Sequence, residues 1–251
     1  MVDLVQRWSQ TAKWWFQNES DIIEMFNNWK KDKIAQEWLK IMWYSMSKIE
    51  YVKAVKINWS HKADLQVQIK VFVKLKDAID VQNISAKLVS NKAGFNQIDK
   101  RQLKKYNELR SIPSNVYKLL QYFSGELKPY KKWTRDKRRM FITEFMEEDQ
   151  RLVLDFFERN KVMIVSDILK GRGEFAAERM LVVRKTWNYD RVFKPMNQVM
   201  NFYGNWDVLI SPKWSINLWR IGIQRKWGDN WRESAKMLQF KIDPTELFTI
   251  K

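Results

Sequence analysis

The chain has 251 residues, of which 45% are hydrophobic, enough to build a core that excludes water. It has no cysteine and one histidine, which excludes disulfides, thiolate nucleophiles and histidine-rich zinc sites, so a bound metal needs oxygen ligands and magnesium or a calcium-like ion is favoured. The formal net charge of +17 at pH 7 indicates DNA or RNA as the partner, although a basic soluble protein or a binder of anionic membranes would share it.

The longest apolar runs, Val162–Val165 and Met180–Val183, are far shorter than the roughly 20 residues that a membrane-spanning helix needs. The first residues lack the basic and apolar segments of a secretory signal. The sequence therefore predicts a cytoplasmic protein without membrane association.

The N-terminal part of the chain has apolar residues at helical spacing. Apolar residues recur every three or four positions over Asp21–Lys30 and again over Ile34–Met42, which predicts two amphipathic helices. Alternation then predicts a strand over Leu65–Val73 and a second over Asn83–Ser90, where Ser85 and Lys87 share one face.

The later elements mix helices and strands. Helices are predicted over Lys100–Arg110, Ser114–Phe123 and Glu147–Asn160, and strands over Val162–Ile168, Arg179–Lys185, Ile216–Gln224 and Met237–Ile242. This order favours an α/β fold with one mixed central sheet covered by helices, in a single domain of residues 1–251. The basic stretch Lys131–Arg139 is either a solvated loop or a phosphate-facing segment.

Asp64 and Lys87 are candidates for chemistry. Cleavage of a phosphodiester needs a metal-holding carboxylate and a fixed positive charge, and these two residues can meet at one end of the predicted strand pair. The alternative is that Asp64 caps a strand and Lys87 lies on the surface. His61 is either a base or an exposed strand-end residue.

Several blocks of the chain resemble the HinP-type restriction endonucleases, which cut the four-base sequence GCGC. The blocks are Lys87–Lys100, Asp136–Phe141, Asp167–Glu178, Ile223–Lys226 and Met237–Pro244. The resemblance implies a PD-(D/E)XK nuclease-like core and a type II restriction endonuclease that cuts double-stranded DNA at a short palindrome with Mg2+. It also implies a cognate DNA methyltransferase as the functional partner, with the nuclease acting as a monomer or weak homodimer.

By this resemblance, Asp64, Ser85 and Lys87 are the catalytic residues, and Asp64 with the backbone carbonyl of Ala86 holds the metal. Family members carry glutamine where this chain has Ser85, and a serine hydroxyl is a poorer metal ligand than a carboxylate. A helix carboxylate, Glu19 or Glu24, is a candidate to compensate. A weakly active or non-catalytic DNA-binding protein on the same fold is the alternative.

Residues after Lys87 have the chemistry for reading DNA. Asn96 and Gln97 can form paired hydrogen bonds to base edges and Lys100 can reach phosphate or guanine, while Phe95 is either an apolar wedge between base steps or an ordinary core residue. A second group, Gln224, Arg225 and Lys226, lies at a predicted strand end. Arg225 or Lys226 contacts either guanine or phosphate.

Glycine is scarce and tryptophan abundant, with 7 and 14 residues. Against the pattern of the HinP-type enzymes, tryptophan stands where glycine is expected at Trp8, Trp43, Trp59, Trp206, Trp214, Trp219, Trp227 and Trp231. A gene that uses UGA as a glycine codon, translated under a code that reads UGA as tryptophan, would give this pattern; true substitution is the rival explanation. Trp29 and Trp38, in apolar helical stripes, are predicted to be core residues.

Overall fold

A computed structural model describes residues 17–57, 67–90, 94–185, 189–205, 207–211, 215–226 and 232–250. The chain divides into two compact units. The first unit comprises Met1–Gly94, Lys170–Val199 and Pro244–Lys251, and the second comprises Phe95–Leu169 and Met200–Asp243. Within the described ranges, no helix combines the length and apolar character needed to cross a membrane.

The helices are α1 (described over 17–27), α2 (Lys33–Ile41), α3 (Leu103–Arg110), α4 (Ser114–Ser124), α5 (Glu147–Leu169) and α6 (Met196–Gly204). The strands are β1 (Ile49–Ile57), β2 (Val67–Leu75), β3 (Ile79–Val89), β4 (Asn96–Arg101), β5 (Arg179–Lys185), β6 (Tyr189–Pro195), β7 (Val208–Ile210), β8 (Ile216–Leu218), β9 (Ile221–Arg225) and β10 (Leu238–Ile242).

The first unit is built on a mixed sheet with strand order β1-β2-β3-β5-β6. Its neighbours pair antiparallel except β3 and β5, which run parallel. Alternate residues of these strands, such as Ile69 and Ile84, form one core with Ile22, Phe26 and Trp38 from α1 and α2. The predicted α/β fold with a mixed sheet flanked by helices is therefore confirmed.

The outer edge of β1 is covered by a side chain of α1. The backbone N–H of Ala54 donates to Oδ1 of Asn27 across 2.7 Å, and Nδ2 of Asn27 donates to the carbonyl of Ala54 across 3.4 Å. One amide side chain thus satisfies both backbone groups of an edge-strand residue, groups that would otherwise need water.

The second unit holds an antiparallel sheet that the sequence did not predict as separate, with strand order β4-β10-β9-β8-β7. One face is apolar. Tyr106 of α3 packs edge-on against Phe240 of β10, with ring centroids 5.5 Å apart, and its hydroxyl donates to Asp99 across 3.2 Å. Helix α5 contacts β4, β7 and β8.

Two boundary predictions are wrong. The apolar run Val162–Ile168 is not a strand but the second half of α5, where Ile164, Val165 and Ile168 are buried at helical spacing. Short apolar runs rich in β-branched residues do not distinguish a strand from a buried helix. Lys100 lies in β4, and the following helix begins only at Leu103.

The predicted strand Ile216–Gln224 is a hairpin, in which β8 and β9 pair antiparallel and Leu218 faces Ile221. The turn residues are Trp219 and Arg220, and Trp219 has a φ of 51°. Trp43, directly after α2, has a φ of 70°. Both tryptophans therefore adopt the left-handed conformation that glycine tolerates and other residues resist.

These two positions match the glycine expectation drawn from the sequence. Trp8, Trp59, Trp206, Trp214, Trp227 and Trp231 lie outside the described residues. Trp29 and Trp38 are buried in the first unit's core, so their prediction as core residues is confirmed.

Candidate functional site

Strand β3 carries Ser85, Ala86 and Lys87 at the centre of the mixed sheet, between β2 and β5. Ser85 pairs with Met180 and Lys87 with Val182, whereas Ala86 packs into the core on the α1–α2 side. Ser85 and Lys87 therefore share the opposite face, as the alternation predicted. The Lys87 residue is only 1% exposed.

The C-terminal segment Pro244–Thr249 contacts β3, β5 and β6 in the first unit. The guanidinium of Arg184, which pairs with Val89 and so lies on the Lys87 face, sits 4.5 Å from the ring centroid of Phe248. Lys194 donates to the carbonyl of Ile250 across 2.9 Å. The last residues of the chain thus cover part of the face that carries Ser85 and Lys87.

Asp64 and His61 lie outside the described residues. Among the residues that are described, no three acidic or histidine side chains gather into a metal-binding cluster. The donors present on β3 are the hydroxyl of Ser85 and the carbonyl of Ala86. Both are hard, neutral oxygens of the kind that Mg2+ accepts.

Glu19 of α1 is buried, but it lies on the other side of the sheet. Its carboxylate pairs with Nζ of Lys56 at 2.5 Å, and Lys56 is level with Ile69, a core residue beneath α1. Burial raises the pKa of Glu19, and Lys56 opposes that shift. Glu24 is exposed. Neither carboxylate shares the face of Ser85 and Lys87.

Three residues from neighbouring strands form a row across the second unit's sheet. Lys100 of β4 pairs with Gln239 of β10, which pairs with Gln224 of β9. The sequence singled out Lys100 and Gln224 separately, and the structure brings them onto one face with Gln239 between them.

The next row on the same face carries Gln97, Lys241, Gly222 and Asn217. A Cβ on Gly222 would lie 3.7 Å from Nε2 of Gln224 and 3.8 Å from Oδ1 of Asn217, so two side-chain amides converge over this glycine. We call these two rows the polar face; its members are Gln97, Lys100, Asn217, Gly222, Gln224, Gln239 and Lys241.

Sequence reasoning missed Gln239, Lys241 and Asn217. The available signal was the alternation of Gln239 and Lys241 with the apolar residues of β10, which places both on one face. Burial lowers the pKa of the Lys241 ammonium. The polar face therefore combines side-chain amides with lysines, which is the donor and acceptor chemistry that base edges require.

Arg225 does not lie on the polar face. It is 2% exposed, its guanidinium lies 3.7 Å from the ring centroid of Phe141, and Nη1 donates to the carbonyl of Met140 across 3.4 Å. Burial and the neighbouring Arg139 lower the pKa of Arg225 to about 10. The expectation that Arg225 contacts guanine or phosphate is thus at odds with its burial.

The remaining predicted residues divide between the faces. Asn96 pairs with the buried Ile242 and so lies on the apolar side, opposite Gln97. Phe95 is 66% exposed, which excludes an ordinary core phenylalanine and leaves it free to act as a wedge. Lys226 follows β9, two residues after Gln224, on the side of the polar face by alternation.

Comparison with known proteins identifies the family. The sequence model described as R.HinP1I restriction endonuclease matches residues 42–248, which includes β3 and the whole polar face. The chain belongs to the R.HinP1I restriction endonuclease family. Family membership supports a type II, site-specific endonuclease. No curated protein matches the sequence at a significant level.

A solved structure shares the fold. It is the restriction endonuclease MspI in complex with its cognate DNA, which matches with a TM-score of 0.67 over 96% of this chain and 93% of that chain, at 11% sequence identity. At 11% identity the match shows the fold alone, which is nuclease-like.

Proposed function

We propose that the chain is a magnesium-dependent type II restriction endonuclease that hydrolyses double-stranded DNA at a short palindrome, GCGC-like by family resemblance. The observation that carries the proposal is Lys87, a buried lysine on the central strand of a family-matched sheet, on the same face as Ser85. Burying an ammonium is costly, so a lysine here is better explained by function than by stability.

In this proposal the core is of the PD-(D/E)XK type. Asp64 and the carbonyl of Ala86 would hold Mg2+, which when bound polarises the phosphate and lowers the pKa of an attacking water. Lys87 offsets negative charge that develops on the phosphate, and its burial strengthens that interaction because little water screens it. Ser85 contributes a neutral oxygen that can orient the water.

DNA reading is proposed for the polar face. Gln97 and Gln224 present amides that can donate to O6 or N7 of guanine and accept from the N4 amino group of cytosine. Lys100 and Lys241 supply charge, and Gly222 leaves room for close approach of a base edge. Phe95 is proposed as a wedge between base steps, and Lys226 as a phosphate contact.

We further propose that residues 1–251 work as one restriction endonuclease domain to which both compact units contribute. The protein would act in the cytoplasm, as a monomer or weak homodimer, beside a methyltransferase that protects the host's own sites. The partner is duplex DNA, for which the net charge of +17 supplies a sequence-independent attraction.

The decisive experiment incubates the protein with unmethylated plasmid DNA, with Mg2+ and with a chelator. We expect discrete fragments with a common end sequence only when Mg2+ is present, and their loss in Asp64→Ala and Lys87→Ala. Lys40→Ala, which removes an exposed lysine of α2, is the matched control and should cut normally. Absence of fragments at every metal concentration would contradict the proposal.

A second candidate, a DNA-binding protein that has lost catalysis, is favoured by one observation. Ser85 supplies a neutral hydroxyl where a carboxylate or amide would be expected, and among the described residues no three acidic or histidine side chains gather into a metal-binding cluster. Sequence-selective binding of duplex DNA without cleavage, measured with Mg2+ present, would establish this alternative.

A further inference from the structure

Arg139 ends the basic stretch Lys131–Arg139, which the sequence allowed to be a solvated loop. Its side chain is instead fully buried in the second unit, at 0% exposure. Nε donates to Oδ2 of Asp136 across 3.3 Å. An arginine this deeply buried needs a specific set of acceptors, because its charge cannot be solvated by water.

Two further acceptors of Arg139 are backbone carbonyls that flank the connection between β9 and β10. Nη1 donates to the carbonyl of Lys226 across 3.0 Å and reaches that of Ala235 at 3.5 Å. Lys226 follows β9 and Ala235 precedes β10, and the N–H of Lys226 also donates to Met237 across 3.0 Å. A single guanidinium therefore ties together both sides of the β9–β10 connection.

The end of α4 is shaped to admit this side chain. Gly125 follows α4 with a φ of 91°, and a Cβ at that position would lie 3.3 Å from Cβ of Arg139. Any other residue at Gly125 would be strained by its backbone and crowded by Arg139. Gly125 therefore confines the Cβ end of Arg139, while the carbonyls of Lys226 and Ala235 hold its guanidinium.

Met140 and Phe141, which follow Arg139, contact the end of β9 as well. The carbonyl of Met140 accepts a hydrogen bond from Nη1 of Arg225. The guanidinium of Arg225 also lies 3.7 Å from the ring centroid of Phe141. Arg139, Met140 and Phe141 thus hold Arg225 and Lys226. Those two residues directly follow Gln224, one of the amides of the polar face.

We propose that Arg139 is a positioning residue for DNA recognition, holding the ends of β9 and β10 so that Gln224 meets a base edge in a preset arrangement. This inference rests on the proposed role of the polar face. Preset donors and acceptors discriminate between bases because a wrong base leaves a buried group without a partner. Arg139 itself is buried and touches no DNA.

The test is Arg139→Lys, which keeps the positive charge but not the planar fork that reaches two carbonyls and a carboxylate together. Cleavage is compared on short duplexes that contain GCGC and on duplexes with one base pair altered. We expect kcat/KM discrimination between them to fall about tenfold, with KM for the intact site raised. Arg138→Lys is the matched control, since Arg138 also contacts Asp136 but is exposed.

Hydrogen exchange at the Lys226 amide reports on the attachment without any cleavage assay. It should be several-fold faster in Arg139→Lys and unchanged in Arg138→Lys. A wild-type protein that discriminates and an Arg139→Lys variant that discriminates equally well would overturn this inference alone, even if the variant is less stable. A wild-type protein with no sequence preference overturns the proposed function and this inference with it.

Discussion

The backbone N–H of Tyr44 donates to the carbonyl of Leu39 across 3.0 Å, and that of Trp43 donates to Lys40 across 2.9 Å. Together they form a Schellman motif at the end of α2, in which Trp43 occupies the left-handed position. Glycine is the usual residue at that position because it has no Cβ to clash with the preceding carbonyl.

Trp43→Gly should therefore stabilise the protein. The left-handed conformation costs a non-glycine residue about 1–2 kcal/mol, and Trp43 is 86% exposed, so little packing is lost. We expect the free energy of unfolding to rise by about 1 kcal/mol, and Tm by about 2–4 °C. Trp219→Gly should act in the same direction but less strongly, because Trp219 is half-buried.

Trp133→Gly is the matched control for these variants. Trp133 is 92% exposed but is not one of the described residues with positive φ, so glycine there should give no gain in stability. Trp38→Gly, in the core, should destabilise strongly. If Trp43→Gly lowers Tm, the idea that glycine belongs at these positions fails.

Ser85→Glu should increase cleavage. A carboxylate at this position would add negative charge beside the carbonyl of Ala86, and the number of charged ligands tunes metal affinity. We expect kcat/KM to rise about tenfold and the half-saturating Mg2+ concentration to fall, both measured on plasmid DNA. Ser85→Ala should lower kcat/KM and raise the half-saturating Mg2+ concentration. If the two variants behave alike, Ser85 does not belong to the catalytic site.

Gly222→Ala separates folding from recognition. A Cβ there would make only ordinary contacts, 3.7 Å from Gln224 and 3.8 Å from Asn217, so Tm should change little. The added methyl group would stand on the polar face and block close approach of a base edge. We expect affinity for duplex DNA to fall about tenfold in an equilibrium binding assay; unchanged affinity would argue that DNA does not approach this part of the sheet.

Glu19→Gln should change how stability depends on pH. Burial raises the pKa of Glu19 above its ordinary value of 4.5, so in the window just above 4.5 the folded protein keeps a proton that the unfolded chain releases. Raising the pH through this window therefore lowers the free energy of unfolding of the wild type. In urea unfolding from pH 4.5 upward, the variant should not show this fall in stability. If wild type and variant depend on pH in the same way, Glu19 is not the group responsible.

Amphipathic periodicity was a reliable guide where an element buries one side. It predicted α4 almost to the residue. The apolar run of β5, which is buried on both faces, also gave its bounds. Edge strand β1 was missed, because its exposed residues outnumber its buried ones, and α5 was cut short by its own β-branched run. Pairing between distant strands has no local signal, so the sequence suggested one sheet where two exist.

The same limit applied to the candidate site. Amide and lysine chemistry pointed to Gln97, Lys100 and Gln224, but only strand register shows that they share a face with Gln239. Arg225 was predicted to contact DNA because it is a strand-end arginine in a basic chain, whereas alternation from Gln224 turns its side chain toward the core. The role of Arg139 depends on acceptors far along the chain and could not be inferred from the sequence.

The pairing of Asn27 with Ala54 bears on how this chain behaves at high concentration. An exposed sheet edge is a template onto which a strand of another molecule can be added, the first step of aggregation. On β1 that template is interrupted, since both backbone groups of Ala54 are already occupied from within the same chain. Removing the Asn27 amide would therefore reopen a site for intermolecular strand addition, even though it touches neither β3 nor the polar face.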